Sequence, residues 1–286
     1  MPGAAVRLNR AFLPVFIVLI VVALGGAAFV WSGVYNVAAS SQHTQPVYAL
    51  LEYTMLRSVR LRASAIETPP LDAPDTFERG AACYQDRCQL CHGGPGVAQA
   101  DIALGMQPLP GPLINAASRW KARELFWITR NGITMSGMPA WRFQLSEPDM
   151  WAIVAFLERL PRLSPREYRD TLQRHRGQRC GIADELHAVG AEPVGEATRG
   201  RAALAQYGCN GCHRIPGITG AKVDVGPPLA GVARRQLIAG QMANTPEAMA
   251  LWLRDPQRID PLTAMPNLGV TSQDARDMAA YLATLQ

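Results

Sequence analysis

Two short segments with the same framework constrain this chain more than any other feature of its sequence. Residues 88–92 (CQLCH) and 209–213 (CNGCH) both follow the pattern Cys-x-x-Cys-His. In this pattern, two thiols on one helical turn reach the two vinyl groups of a haem, and the adjacent histidine points its imidazole at the iron. The repeated pattern therefore predicts two sites of covalent haem c attachment.

Other roles of a Cys-x-x-Cys pair require surroundings that this sequence lacks. A thioredoxin-like redox pair needs a βαβ pattern around it, and a structural zinc site needs a second pair of ligands nearby. Neither role explains why a histidine follows both second cysteines. We expect the motifs to supply six cofactor-binding residues, whose two histidines also bind iron: Cys88, Cys91, His92, Cys209, Cys212 and His213.

A methionine in each half is placed to bind the opposite face of the iron. Met138 lies in the segment SGMPAW and Met265 in TAMPN, each directly before a proline. Proline disfavours helical geometry in the preceding residue, which suits a thioether presented from an extended loop. Met138 and Met265 are the predicted metal ligands, with Met135 as a rival and Met242 and Met249 in a more helical context. The histidines outside the motifs are expected to be solvated surface residues: His43, His175 and His187.

The two halves carry these features in the same order. Each methionine precedes a helix whose predicted cap is Ser146 or Thr271. The copies lie 121 residues apart at the first cysteine, 127 at the methionine and 125 at the helix cap. A fixed order at nearly constant separation indicates a duplicated, mainly α-helical domain.

An apolar segment near the N-terminus predicts a membrane anchor. No residue from Ala11 to Trp31 is charged, and about twenty apolar residues cross a hydrocarbon core of roughly 30 Å. Arg7 and Arg10 precede this segment, whereas the first charge after it is Glu52, so the positive-inside rule places the N-terminus in the cytoplasm. The run exceeds the apolar region of a cleaved signal peptide. We expect a single-pass protein of the inner (cytoplasmic) membrane with periplasmic haem domains.

A second helix is predicted just after the anchor, between Thr44 and Arg62. Thr44 is its predicted cap, and its apolar residues recur at helical spacing. Its arginines are Arg57, Arg60 and Arg62. The sequence leaves two interpretations open: a surface that lies on lipid headgroups or a partner subunit, and a spacer packed on its own domain.

The charge of the chain does not indicate a nucleic-acid partner. The formal net charge is +5, but two haems would add about four propionates, each near −1 when ionised. The sequence also has no basic run with interleaved aromatic residues of the kind that follows a phosphate backbone. We expect membrane lipid and a redox protein or respiratory complex as partners, and no nucleic acid.

Each half resembles a class I cytochrome c domain, and the two resemblances together cover roughly residues 70–286. They rest on the attachment motif, the methionine loop and the final helix. The segment GPPL at 226–229 resembles the family segment whose proline carbonyl accepts a hydrogen bond from the proximal histidine, which implies Pro227 for His213. In the first half Pro110 and Pro112 both compete for this role, and Pro112 is counted among the cofactor-binding residues.

The predicted fold is mainly α, with an N-terminal transmembrane helix followed by two tandem class I cytochrome c domains. Its parts are the N-terminus and anchor (1–33), the juxtamembrane helix (34–69), the first domain (70–165), a linker (166–194) and the second domain (195–286). The linker is rich in charge and predicted to be exposed. Cys83 and Cys180 lie outside the motifs, and an exported chain permits them to pair and hold the linker on the first domain.

Two six-coordinate haems leave no open position for a substrate, which predicts outer-sphere, one-electron transfer rather than catalysis by the chain alone. The expected place is between a respiratory dehydrogenase or quinol-oxidising complex and a terminal oxidase. One alternative is a haem subunit fixed in a larger respiratory complex. The other is a dihaem enzyme that processes thiosulfate or peroxide and needs an unusual or vacant distal site.

Overall fold

A computed structural model describes residues 12–178, 180, 194–221 and 223–286. The fold is mainly α-helical, as the sequence predicts. Arg7, Arg10, His187 and residues 181–193 of the predicted linker lie outside the described residues. The helices ahead of the second half are α1 (Phe12–Ser32), α2 (Gln45–Ala63), α3 (Pro74–Cys83), α4 (Gln89–His92), α5 (Asp101–Leu104), α6 (Ala116–Arg119), α7 (Ala122–Asn131), α8 (Glu147–Arg159) and α9 (Pro165–Arg174). Those of the second half are α10 (Ala197–Gln206), α11 (Pro246–Arg254), α12 (Pro256–Ile259) and α13 (Ser272–Ala283).

Helix α1 contains the predicted anchor from Phe12 onward. It ends at Ser32, one residue beyond the predicted boundary at Trp31, and its large apolar side chains are exposed. Among the described residues it is the one helix long and apolar enough to cross a membrane, with a hydropathy of 2.8 over Leu13–Ser32. These properties suggest a single-pass anchor.

Helix α2 packs on the first domain. Val59 and Ala63 are buried, and Glu52 forms an ion pair with Arg119 at 2.6 Å. This contact agrees with the interpretation of α2 as a spacer packed on its own domain. The opposite side of the helix, which includes Leu61, remains exposed.

The same helix crossing builds both domains: α3 packs on α8, and α10 packs on α13. A glycine lies at each crossing, and each follows an arginine. A Cβ on Gly80 would collide with the carbonyl of Ala152, and one on Gly200 would collide with the carbonyl of Asp277. Ala152 and Asp277 each lie six residues after their helix cap. The halves therefore share one register at their central contact.

Replacing Gly80 by alanine is expected to destabilise the first domain by about 3 kcal/mol, the upper end for overpacking, because backbone atoms cannot yield as a flexible side chain can. The added methyl would also lie 2.7 Å from the carbonyl carbon of Ala152. Urea denaturation measures the loss. The matched control is Gly105→Ala, whose Cβ would make only an ordinary contact at 3.7 Å. Equal stability of the two variants would contradict the assigned crossing.

The first part of the predicted linker belongs to the first domain. Helix α9 buries Tyr168 and Leu172 in the first core, so residues 166–174 are not only a connection between the domains, although most of their side chains are exposed as predicted. A capping box at Ser164 starts this helix. The charges on its exposed side obscure a narrow apolar side, which explains why composition alone predicted a linker.

The end of the described linker is held by a disulfide. Cys83 and Cys180 are bonded, which confirms the predicted pair. Arg87 donates to the carbonyl of Cys180 at 2.8 Å, and the Cys180 N–H donates to Asp86 at 3.1 Å. His175 hydrogen-bonds Glu78 and has a side chain only 15% exposed, so it is not the solvated residue expected from sequence.

The second domain also contains a short antiparallel hairpin of β1 (Leu237–Ile238) and β2 (Met242–Ala243). Its turn includes Gly240, at φ 72°. Ile238 points into the second core. The hairpin therefore packs the long connection between His213 and Met265 against the second core.

Candidate functional site

The first motif lies at a break in helical geometry. Helix α3 continues into a π-helical turn, Tyr84–Cys88, and then into α4, which ends at His92. Such turns occur often at functional sites. Burial raises the pKa of the Cys88 thiol to about 12, with a smaller contribution from Cys91. Neither thiol is in a disulfide, so both are available for thioether bonds.

The second motif reaches the same arrangement by another route. Helix α10 ends before Gly208, whose φ of 74° turns the chain into a 3₁₀ segment, Cys209–Gly211. Burial raises the pKa of the Cys209 thiol to about 11. Cys209 and Cys212 are also free of disulfides. Each half thus presents two unpaired thiols directly before a histidine.

In the first half, the hydrogen-bond partner of the histidine is neither proline predicted for it. Nδ1 of His92 lies 2.7 Å from the carbonyl oxygen of Gly111. The carbonyl of Pro110 accepts instead from the Gln99 amide, which also donates to Cys91 O at 2.8 Å. Pro112 follows the accepting residue, so its assignment to this hydrogen bond is wrong.

The contact with Gly111 sets the tautomer of His92. Because a carbonyl can only accept, Nδ1 carries the proton and Nε2 keeps its lone pair for a metal. Burial lowers the pKa of His92, against an opposing effect of the hydrogen bond. The imidazole is therefore favoured in the neutral form that binds iron.

The second histidine has the predicted partner. Nδ1 of His213 lies 2.8 Å from the carbonyl oxygen of Pro227, which confirms that hydrogen bond. Gly226 lies against the imidazole, where a Cβ would be 2.7 Å from Nδ1. The position therefore needs glycine, and the backbone orients the ring at close range.

The two methionine loops share one local structure. The Met138 N–H donates to the hydroxyl of Ser136, and the Met265 N–H donates to that of Thr263, both at 3.2 Å. Both methionines are half-buried. The rival Met135 is 93% exposed. The shared turn fixes the backbone from which each thioether projects.

A second thioether, which no sequence pattern marks, lies beside the first methionine loop. A Cβ on Gly137 would lie 2.6 Å from Sδ of Met106, so this side chain packs against the residue before Met138. Met106 belongs to neither motif and precedes no proline. Only its tertiary position draws attention to it.

The residues of each half fit a haem c group. The donor set is a pair of free thiols, an imidazole with Nε2 available and a loop thioether, which is the set that c-type cytochromes use. Large apolar side chains also remain exposed between histidine and methionine: Ile102, Leu104, Leu109 and Met135 in the first half, and Val225, Leu237, Leu251 and Leu262 in the second. An apolar macrocycle would cover such side chains.

Comparisons with known proteins match the two halves of the chain to two different family models. Residues 75–157 match the family model described as cytochrome c oxidase, cbb3-type, subunit III, and residues 197–286 match that of cytochrome c. Cytochrome c oxidase subunit 2 of Alkalihalophilus pseudofirmus is 33% identical over 91 residues. That match covers 32% of this chain and 26% of the subunit, so the chain spans only about a quarter of this relative.

Proposed function

Because this chain carries two cytochrome c-type domains behind an apolar N-terminal helix, we propose that it is a membrane-bound dihaem electron-transfer protein. The observation that most supports this proposal occurs in both halves: two free thiols precede a histidine whose Nδ1 is held by a backbone carbonyl. Each domain binds one covalent haem c.

The proposed roles of the residues follow from their atoms. Cys88, Cys91, Cys209 and Cys212 form thioether bonds to the two haems. His92 and His213 would hold iron through Nε2, and Met138 and Met265 would each supply a thioether ligand to the same iron. The bound iron supplies one-electron exchange between its ferrous and ferric states. A histidine and a methionine of the protein would then hold each iron, which would leave no position for a substrate on the metal and would make the transfer outer-sphere.

The haem domains are proposed to lie in the periplasm. The Cys83–Cys180 disulfide supports this location because such bonds persist in oxidising compartments. The arginines before the anchor support a cytoplasmic N-terminus. An anchor also raises the effective concentration of the domains near membrane partners.

A terminal oxidase is the proposed electron acceptor, and a dehydrogenase or quinol-oxidising complex the donor. Both comparisons with oxidase subunits favour this assignment. The family description of the first domain also favours a second candidate function, that of a haem subunit fixed in an oxidase. Gentle detergent extraction separates the two, since oxidase polypeptides remain attached to a fixed subunit and a free carrier elutes alone.

Replacing Met138 or Met265 by alanine tests the proposed ligands. Each variant is expected to lose half of the near-infrared methionine–iron absorption of the ferric protein. The potential of one haem should fall by about 0.1–0.3 V, within the range of about 0.8 V that axial ligands span. Redox titration and near-infrared spectroscopy measure both effects.

The matched controls are Met135→Ala and Met106→Ala, which should leave the absorption unchanged. If either control loses near-infrared absorption and Met138→Ala does not, the methionine replaced in that control is the ligand of the first half. A high-spin signal or cyanide binding by the resting parent protein would instead favour the dihaem enzyme.

A further inference from the structure

The methionine loops of the two halves differ in length. Ser146 follows Met138 by eight residues, whereas Thr271 follows Met265 by six. In the longer loop, residues 141–143 form a 3₁₀ turn, Trp141–Phe143. The first domain therefore carries an additional turn directly after its methionine.

This turn contacts both domains. Trp141 packs against the core of the first domain. Phe143 is only 8% exposed and lies in the core of the second, where Ala140 also packs. A large aromatic side chain from one domain thus packs in the core of the other, where it contributes apolar burial.

Tyr207 is the main polar partner of the turn. Its ring centroid lies 6.1 Å from that of Phe143, with the planes at 70°. Its hydroxyl lies 3.3 Å from the carbonyl oxygen of Phe143 and 2.9 Å from the carboxylate of Asp274. Tyr207 therefore contacts Phe143 in two ways, through the packing of the two rings and through its hydroxyl group.

The two ends of this contact are close in sequence to the two proposed haem sites. Phe143 follows Met138 by five residues, and Tyr207 precedes Cys209 by two. The equivalent of Phe143, three residues before the second helix cap, is Leu268, which is 40% exposed. The arrangement is therefore a property of the first methionine loop alone.

We propose that the turn Trp141–Phe143 docks the methionine loop of the first domain on the second domain, so that binding of Met138 to its iron depends on this contact. Phe143 is a positioning residue that acts through Met138. The proposal rests on the proposed function, since it assumes a haem in each domain. It makes the two haem sites parts of one unit rather than independent carriers on a shared anchor.

The test uses the full-length holoprotein and two backgrounds in which only one haem keeps its methionine. In Met265→Ala only the first haem has the near-infrared band, and Phe143→Ala is expected to remove most of it. In Met138→Ala only the second haem has the band, and Phe143→Ala should leave it unchanged. Cyanide affinity of the first ferric haem should rise at least tenfold, as the methionine is more easily displaced.

Two further variants keep the experiment decisive. Phe143→Leu retains a buried apolar group and is expected to show the same selective loss at smaller amplitude, even if Phe143→Ala folds poorly. Leu268→Ala is the matched control and should change the cyanide affinity of the first ferric haem less than twofold. A band that survives Phe143→Ala in Met265→Ala, or is lost in Met138→Ala, overturns the proposal. A parent protein with fewer than two covalent haems overturns the proposed function instead.

Discussion

Replacing Cys209 and Cys212 together by alanine is expected to lower the covalent haem content from two groups per chain to one. The thiols are the only groups of the second motif that can form thioether bonds, and both are free in the structure. The first motif lies in a separate core and should keep its haem. The pyridine haemochrome spectrum and the intact mass of the denatured protein count the groups.

The chain offers a matched control for this experiment. Replacing Cys83 and Cys180 removes two cysteines that form a disulfide and belong to neither motif. This variant should retain two covalent haems. Two haems remaining without Cys209 and Cys212, or two lost without Cys83 and Cys180, would contradict the assignment of the thiols.

Removing the disulfide is expected to reduce the free energy of unfolding of the first domain by about 3–5 kcal/mol. The bond spans 97 residues, and a closed loop of about 100 residues restricts the unfolded chain by roughly 4.7 kcal/mol in the entropy model. The bond also holds Cys180 where Arg87 and Asp86 contact its backbone. Urea denaturation of Cys83→Ala/Cys180→Ala, followed by circular dichroism, measures the difference.

Reduction of the parent protein supplies the control. Dithiothreitol should lower the stability of the parent protein to that of the double variant and leave the variant unchanged. Full stability in the double variant would mean that helix α9 and its contacts hold the segment without the bond.

Much of the local structure could be predicted from the sequence. Helices α8 and α13 begin after the predicted caps, where Ser146 and Thr271 accept hydrogen bonds from the third residue beyond. Short-range patterns of this kind are readable because the partner groups lie within one turn. The Pro227 contact of His213 was also predicted, but only through resemblance to a known family.

Longer-range partners were not predictable in the same way. His92 uses the carbonyl of Gly111, which lies between the two prolines considered for it. The carbonyl of Pro110 is occupied by the Gln99 amide. The choice among neighbouring carbonyls depends on a side chain from another turn. Composition favours a linker over helix α9 for a related reason, since Arg169 and Asp170 lie between its core residues Tyr168 and Leu172.

The sequence by itself determined the groups available for haem binding: two Cys-x-x-Cys-His motifs, two methionine–proline loops and an apolar segment long enough to anchor them, all of which are local patterns. Only the tertiary structure decided that Gly111 orients His92, that helix α9 packs on the first core and that Phe143 lies in the second. The physical reason is the range of the interactions. Bond-forming groups and caps act within a few residues, whereas burial depends on which distant surfaces remain free to be covered.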